Sequence, residues 1–130
     1  MSPSVRKAER PTVVVINGDD AVAHALKFRF ELEGFNVRVH DDARTLLVLG
    51  MIPDDVCLVV DYDLPDTDGL QLLASLRAAG LKAPAVMIVT NPTRALCAKA
   101  ESIGVTIVEK PLLNDALLAA VRSALILKIV

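Results

Sequence analysis

Val56-Cys57-Leu58-Val59-Val60-Asp61-Tyr62-Asp63-Leu64-Pro65-Asp66-Thr67-Asp68-Gly69 decides how this chain folds. Five apolar residues run without a polar interruption and end on an acid. A strand with no polar alternation is buried on both faces, as in a parallel sheet. The Pro, Asp and Gly residues that follow make a loop, not a continuation.

The same unit recurs on either side. Thr12–Ile16 is a second uninterrupted run, and Ala85–Val89 a third, ending at Thr90. Residues 105–108 make a further short strand, and 35–40 a more polar one that belongs nearer an edge. Helical patterns fill the intervals. Asp19 or Asp20 can cap a helix that places Val22, Leu26 and Phe30 at i, i+4, i+8 and stops at Gly34. Residues 42–51 read as a second helix, stopped before Pro53. Leu70, Leu73, Ala74 and Leu76 mark a third, ended by Gly80. Pro92 can open a fourth, running to about Ile103. Leu117, Ala120, Val121, Ala124 and Leu125 share one face of a fifth. Five strands alternating with five helices predict an α/β fold with a parallel sheet covered on both faces.

Composition sets the outer limits. The chain has 130 residues, 53% of them hydrophobic and 23% charged, enough for one real core and too apolar for disorder. With 3% aromatic residues and no Trp, that core must be Val, Leu, Ile and Ala. Fourteen Lys and Arg against 16 Asp and Glu argue against a general nucleic-acid binder. Cys57 and Cys97 cannot form a disulfide framework; both read as small buried hydrophobes of a reducing, cytoplasmic compartment. Residues 1–11 read as a flexible tail without the apolar stretch of a signal peptide, and 12–130 as a single domain. No run is long enough to span a membrane, including the apolar end at 124–130.

In such sheets, ligand chemistry sits at the carboxyl ends of the strands. Those ends carry Asn17, Gly18, Asp19 and Asp20, then Asp61, Thr90 and Lys110. Taken singly, Asp61 is a turn residue, Thr90 a helix cap and Lys110 a solvated charge. Together they supply a carboxylate nucleophile, a hydroxyl and an ammonium, a set suited to phosphoryl chemistry.

Three stretches carry a resemblance to the receiver domains of two-component response regulators: residues 59–70 to the D-x-x-x-P-x-x-D/S-G phosphoacceptor segment, 86–90 to the strand ending in a switch Thr or Ser, and Val108-Glu109-Lys110-Pro111-Leu112 to the K-P segment. The likeness covers nearly the whole chain. It implies a doubly wound, flavodoxin-like (βα)5 three-layer sandwich with strand order 2-1-3-4-5. It also implies a phosphorelay role: Asp61 accepts a phosphoryl group from a histidine kinase or phosphotransfer protein, Thr90 binds a phosphoryl oxygen, and Lys110 pairs with the carboxylate and then the phosphoryl group. Lys110-Pro111 is expected as a cis peptide. A Mg²⁺ ion is expected at Asp61 and the backbone carbonyl of Asp63.

The chain departs from that pattern in several places. The family ends its first strand with two adjacent acids that organise Mg²⁺. Counting from Asp61 and from Gly34-Phe35, those positions fall on Asn17 and Gly18. Asp19 is the candidate substitute ligand, and Mg²⁺ binding is expected to weaken. Asn91 follows the switch Thr where a small residue is usual. Ile107 stands where the family has its switch aromatic, and the interval from Thr90 to Lys110 is short. Output is therefore expected through a backbone shift or a movement of the fourth helix.

The alternative is a degenerate receiver that binds partners without phosphorylation. An enzyme is not expected beyond autophosphatase activity. Asp61-Tyr62-Asp63 also resembles the D-x-D of haloacid-dehalogenase-type phosphatases, but it follows the third strand and no late acidic pair accompanies it. Expected partners are a kinase, a downstream protein and a second copy of the chain, paired through the face of the fourth helix, fifth strand and fifth helix, with Leu96, Ile107, Leu118 and the apolar tail. Direct contact with nucleic acid or membrane is not expected.

Overall fold

A computed structural model describes residues 10–48, 52–110 and 115–129. Its elements run β1 (Thr12–Ile16), α1 (Asp20–Leu32), β2 (Asn36–His40), α2 (Ala43–Val48), β3 (Val56–Asp61), α3 (Gly69–Ala78), β4 (Ala85–Val89), α4 (Arg94–Ser102), β5 (Val105–Glu109) and α5 (Ala116–Ile129). All strand pairs are parallel and the order is β2-β1-β3-β4-β5. This is the doubly wound, flavodoxin-like sheet that the sequence predicts.

Side chains of a strand alternate between faces, and the core divides accordingly. Val14, Ile16, Leu58, Val60, Met87 and Val89 face α2, α3 and α4, where they meet Leu46, Leu73 and Ala100. Val13, Val15, Cys57, Val59, Val86 and Ile88 face α1 and α5, where they meet Phe30, Leu117 and Val121. Because β3 lies at the centre, all six of its residues are buried. The edge position of β2 leaves it half-buried, as its more polar sequence suggests.

Several details differ from the sequence reading. The buried face of α3 is Leu72, Leu73 and Leu76, while Leu70 is only partly buried and Ala74 is exposed. Four apolar residues among five positions offered two overlapping stripes, and the sheet took the later one. Thr93, not Pro92, caps α4: its hydroxyl accepts from the Leu96 N–H, and the helix begins at Arg94. Cys57 is buried, and burial pushes its thiol up to about 12, which leaves it inert. Cys97, by contrast, is exposed on α4 and is no core residue. Leu118 is 7% exposed and packs in the α1–α5 core, which removes it from the suggested pairing face. Arg10 and Pro11, assigned to the tail, offer their carbonyls to Asn36. The Lys110-Pro111 bond and residues 49–51 of the second predicted helix lie outside the described residues. None of the described helices is long and apolar enough to cross a membrane.

Arg77 ties the lower end of this fold together. Its guanidinium donates to the carbonyls of Ile103, Leu81 and Ala83 at 2.9, 3.0 and 2.7 Å, joining α3 to the turns before β4 and β5. Arg77→Ala would leave these carbonyls short of a donor and is expected to cost about 2–3 kcal/mol. Urea unfolding should show the loss as a lower midpoint at unchanged slope. Arg77→Lys should recover little, because an ammonium lacks the planar fork.

Candidate phosphoacceptor site

The carboxyl ends of β1, β3, β4 and β5 meet along one edge of the sheet. Asp61 closes β3, in register with Ile88 of β4. It is 5% exposed, and Asn17 at 1% is the other buried polar residue among those described. A carboxylate this deep needs compensation. Lys110 supplies it: its Nζ lies 3.0 Å from Asp61 Oδ2 and 3.4 Å from Oδ1. The Asp63 N–H donates to Oδ1 at 2.9 Å.

The topology explains why two residues 49 apart meet. β4 lies between β3 and β5, and the Lys110 N–H donates to the Val89 carbonyl at 2.9 Å. Lys110 therefore leaves the sheet beside Thr90, one residue past the end of β4. Thr90 is exposed, and its hydroxyl makes no hydrogen bond to Asp61 among the described residues. Thus the structure joins Asp61 directly to Lys110 and sets Thr90 on the same edge without contact. Asn91 holds a left-handed backbone at φ 50, which Asn tolerates better than most residues.

On the β1 side, Ile16 pairs with Val60, so the next residues, Asn17 and Asp61, leave adjacent strands side by side. The Asp19 N–H donates to Asn17 Oδ1 at 2.9 Å, which fixes the orientation of the amide. Its other end, Nδ2, is buried and has no hydrogen-bond partner among the described residues. Asp19 itself caps α1, its Oδ1 accepting from the N–H groups of Ala21 and Val22. Asp20 is the first residue of that helix and is exposed.

The loop after Asp61 folds back over this edge. Pro65 rests on Gly18, where a Cβ would come within 2.9 Å of the proline Cδ. The Asp66 carboxylate accepts from the N–H groups of Ala43 and Arg44, clamping the loop to the start of α2. Sequence offered no signal for that contact, since capping patterns are local and this one spans 23 residues. Gly69 had been read only as part of a motif, yet its place is a steric necessity. A Cβ there would lie 2.6 Å from the Asp61 carbonyl oxygen and 3.0 Å from Val60 Cγ1.

A divalent cation would need oxygen ligands, mainly carboxylates and carbonyls. Here the two positions expected to be acids are an amide and a glycine. The Asp19 Oδ1 is engaged by helix N–H groups, and both oxygens of Asp61 face an ammonium. Asp63 is exposed and lines, with Gly18, Asp19, Pro65 and Asp68, an open depression of about 630 Å³. Among the described residues no three His, Cys, Asp or Glu side chains gather into a metal-holding group. The residues present do not fit the expected Mg²⁺ set.

Known proteins place this arrangement. The family described as the response regulator receiver domain matches residues 13–122. The transcriptional regulatory protein FixJ of Azorhizobium caulinodans is 35% identical over 114 residues, covering 87% of this chain and 54% of that protein. The C4-dicarboxylate transport transcriptional regulatory protein DctD of Pseudomonas aeruginosa is 32% identical over 126 residues, covering 96% of this chain and 27% of that one. Among solved structures, the response regulator StyR superposes with a TM-score of 0.83 at 30% identity, covering 92% of this chain and 61% of that chain. FixJ-N superposes with a TM-score of 0.79 at 25% identity, covering 89% and 94%. The chain spans about half the length of the FixJ proteins it matches.

Gly69→Ala tests the geometry of this loop. The added methyl must displace the Asp61 carbonyl or the loop, with an expected cost of roughly 2 kcal/mol or more. Thermal unfolding of the variant should start several degrees lower. An unchanged melting temperature would mean that the loop does not lie this close to β3.

Proposed function

The chain belongs to the response regulator receiver domain family, and on that premise we propose that Asp61 is the residue through which it takes a phosphoryl group. Receiver domains are signalling domains, and this one stands with homologues that act in phosphorelay signalling. The donor we assign is a phosphohistidine on a sensor kinase or phosphotransfer protein. The observation that carries the reading is the Lys110 ammonium, 3.0 Å from a carboxylate buried at a strand end.

The chemistry is an in-line displacement. A carboxylate oxygen of Asp61 attacks phosphorus, the P–N bond of the donor breaks, and the imidazole leaves and takes up a proton. The product is an acyl phosphate on Asp61. As the carboxylate charge passes to the phosphoryl oxygens, Lys110 can follow it across a short distance. The Thr90 hydroxyl, already on the same edge, is assigned the next phosphoryl oxygen. Movement of Thr90 would pull on the start of α4. Ile107 is half-buried and packs against the core beneath the sheet, so it cannot rotate outward as a switch aromatic would. We therefore assign output to α4 and its preceding loop.

Receiver domains generally bind Mg²⁺ at an acidic pocket. Asp61, the Asp63 carbonyl and Asp19 are the groups this chain could offer, and no step above depends on a metal. A second reading, in which the domain binds partners without being phosphorylated, draws on Asn17 and Gly18 in place of the acidic pair. Residues 12–130 are taken as one receiver domain, acting in the cytoplasm on a downstream protein. Its own surface, with net charge −2, is assigned no nucleic-acid contact. The exposed Ile126 remains available to a second copy through the α4–β5–α5 face.

Acetyl phosphate separates the two readings. Intact-mass measurement should show one added phosphoryl group, labile to hydroxylamine as an acyl phosphate is. Asp61→Asn should abolish it, and Lys110→Ala should lower the extent by roughly tenfold. A chain that stays unmodified with every small phosphodonor sinks the proposal and leaves partner binding alone.

A further inference from the structure

We propose that this pocket receives the phosphoryl group with hydrogen-bond donors, Asn17 Nδ2 and Lys110 Nζ, in place of a divalent cation held by an acidic pair. The inference rests on the assignment of Asp61 as phosphoacceptor and names what stands opposite it.

Three observations lead there. Asn17 leaves β1 beside Asp61, because Ile16 and Val60 are the last pair between β1 and β3. Its Nδ2 is a buried donor with no acceptor, although such groups are normally satisfied. The amide cannot flip to relieve this, since its Oδ1 already accepts from the Asp19 N–H at 2.9 Å. An unpaired donor on the residue that stands beside Asp61 in the strand register suits an anion that arrives later. A phosphoryl group attached to Asp61 brings three oxygens with lone pairs to spare.

Charge supports the same reading. An acidic pair beside Asp61 would build up negative charge that only a divalent ion could offset. Here Asp61 and Lys110 already cancel, and Asn17 adds a dipole without a charge. Gly18 offers no carboxylate, and a Cβ there would come within 2.9 Å of the Pro65 Cδ. The pocket therefore carries an amide and a glycine where two carboxylates would hold a cation. An ammonium and an amide stabilise a phosphoryl anion less than Mg²⁺ does, so modification should be slower than in a metal-dependent site but insensitive to chelation.

The experiment follows modification of the chain by acetyl phosphate, read by intact mass, in excess EDTA and in excess Mg²⁺. Equal rates in the two, both abolished by Asp61→Asn, are expected. Binding of Mn²⁺, read from the loss of the free-ion electron paramagnetic resonance signal, should be weak for the unaltered chain. Asn17→Asp keeps the acceptor for the Asp19 N–H and adds a carboxylate beside Asp61. It should raise Mn²⁺ affinity on the order of tenfold and make modification depend on metal. Modification of the unaltered chain only when Mg²⁺ is present overturns this inference while the role of Asp61 stands. No modification at all removes both. If Asn17→Asp does not fold, the comparison of EDTA with Mg²⁺ on the unaltered chain still decides.

Discussion

A carboxylate at the centre of a parallel sheet is tolerated only if a positive group reaches it, and that requirement organises this molecule. Asp61 is 5% exposed, and without Lys110 its buried carboxylate would destabilise the fold. Lys110 can reach it only because β4 and β5 lie next in order beyond β3. The strand order in turn needs right-handed crossovers, each helix covering one face of the sheet. Burial of the apolar strands thus supplies both the cohesion of the domain and the low-dielectric setting in which the ion pair matters. The same burial makes the pair a sensitive point, because any group that takes charge from the carboxylate must also engage the ammonium.

The sequence disclosed most where one constraint acted alone. β1, β3 and β4 are buried on both faces, so their residues had no competing pattern to satisfy and read as continuous apolar runs. The strand ends were legible for the same reason: Asp61 is the first polar residue after five apolar ones. Reading faltered where two patterns overlapped or where a partner lay far away in the chain. The stripe through Leu70 and Ala74 was as good on paper as the one through Leu72 and Leu76, and only the sheet's position separates them. The Leu118 side chain shared a helix with a clear core face and was set outside it, yet α1 lies close enough to bury it. Arg77 and Asp66 were silent, since their acceptors and donors belong to other elements.

At the site itself, motif spacing located the ingredients but not their relations. It brought Asp61 and Lys110 together correctly, and it placed Thr90 on the right edge without saying that the hydroxyl stands apart from the carboxylate. It placed Asn17, rather than Asp19 or Asp20, next to Asp61, as the strand register does. What it could not supply was the contact between the loop and the end of β1. Pro65 lies against β1's end, where a Cβ on residue 18 would come within 2.9 Å of its Cδ. That approach, between residues far apart in the chain, is visible only when the loop is folded.

This coupling bears on how the pocket could change over time. Restoring an acid at residue 18 by itself would drive a Cβ to within 2.9 Å of the Pro65 Cδ, so the loop carrying Asp63 and Asp66 would have to move. Asp66 holds that loop to α2 through two N–H groups, and Gly69 holds it against β3. The loop is therefore held by Asp66 and Gly69 as well as resting on Gly18. Residue 17 is different. Its side chain is isosteric with aspartate and already oriented by the Asp19 N–H, so a change there alters charge without moving backbone. The two positions are unequal: at residue 17 a carboxylate would change charge in place, and at residue 18 a side chain would need a small adjustment against Pro65.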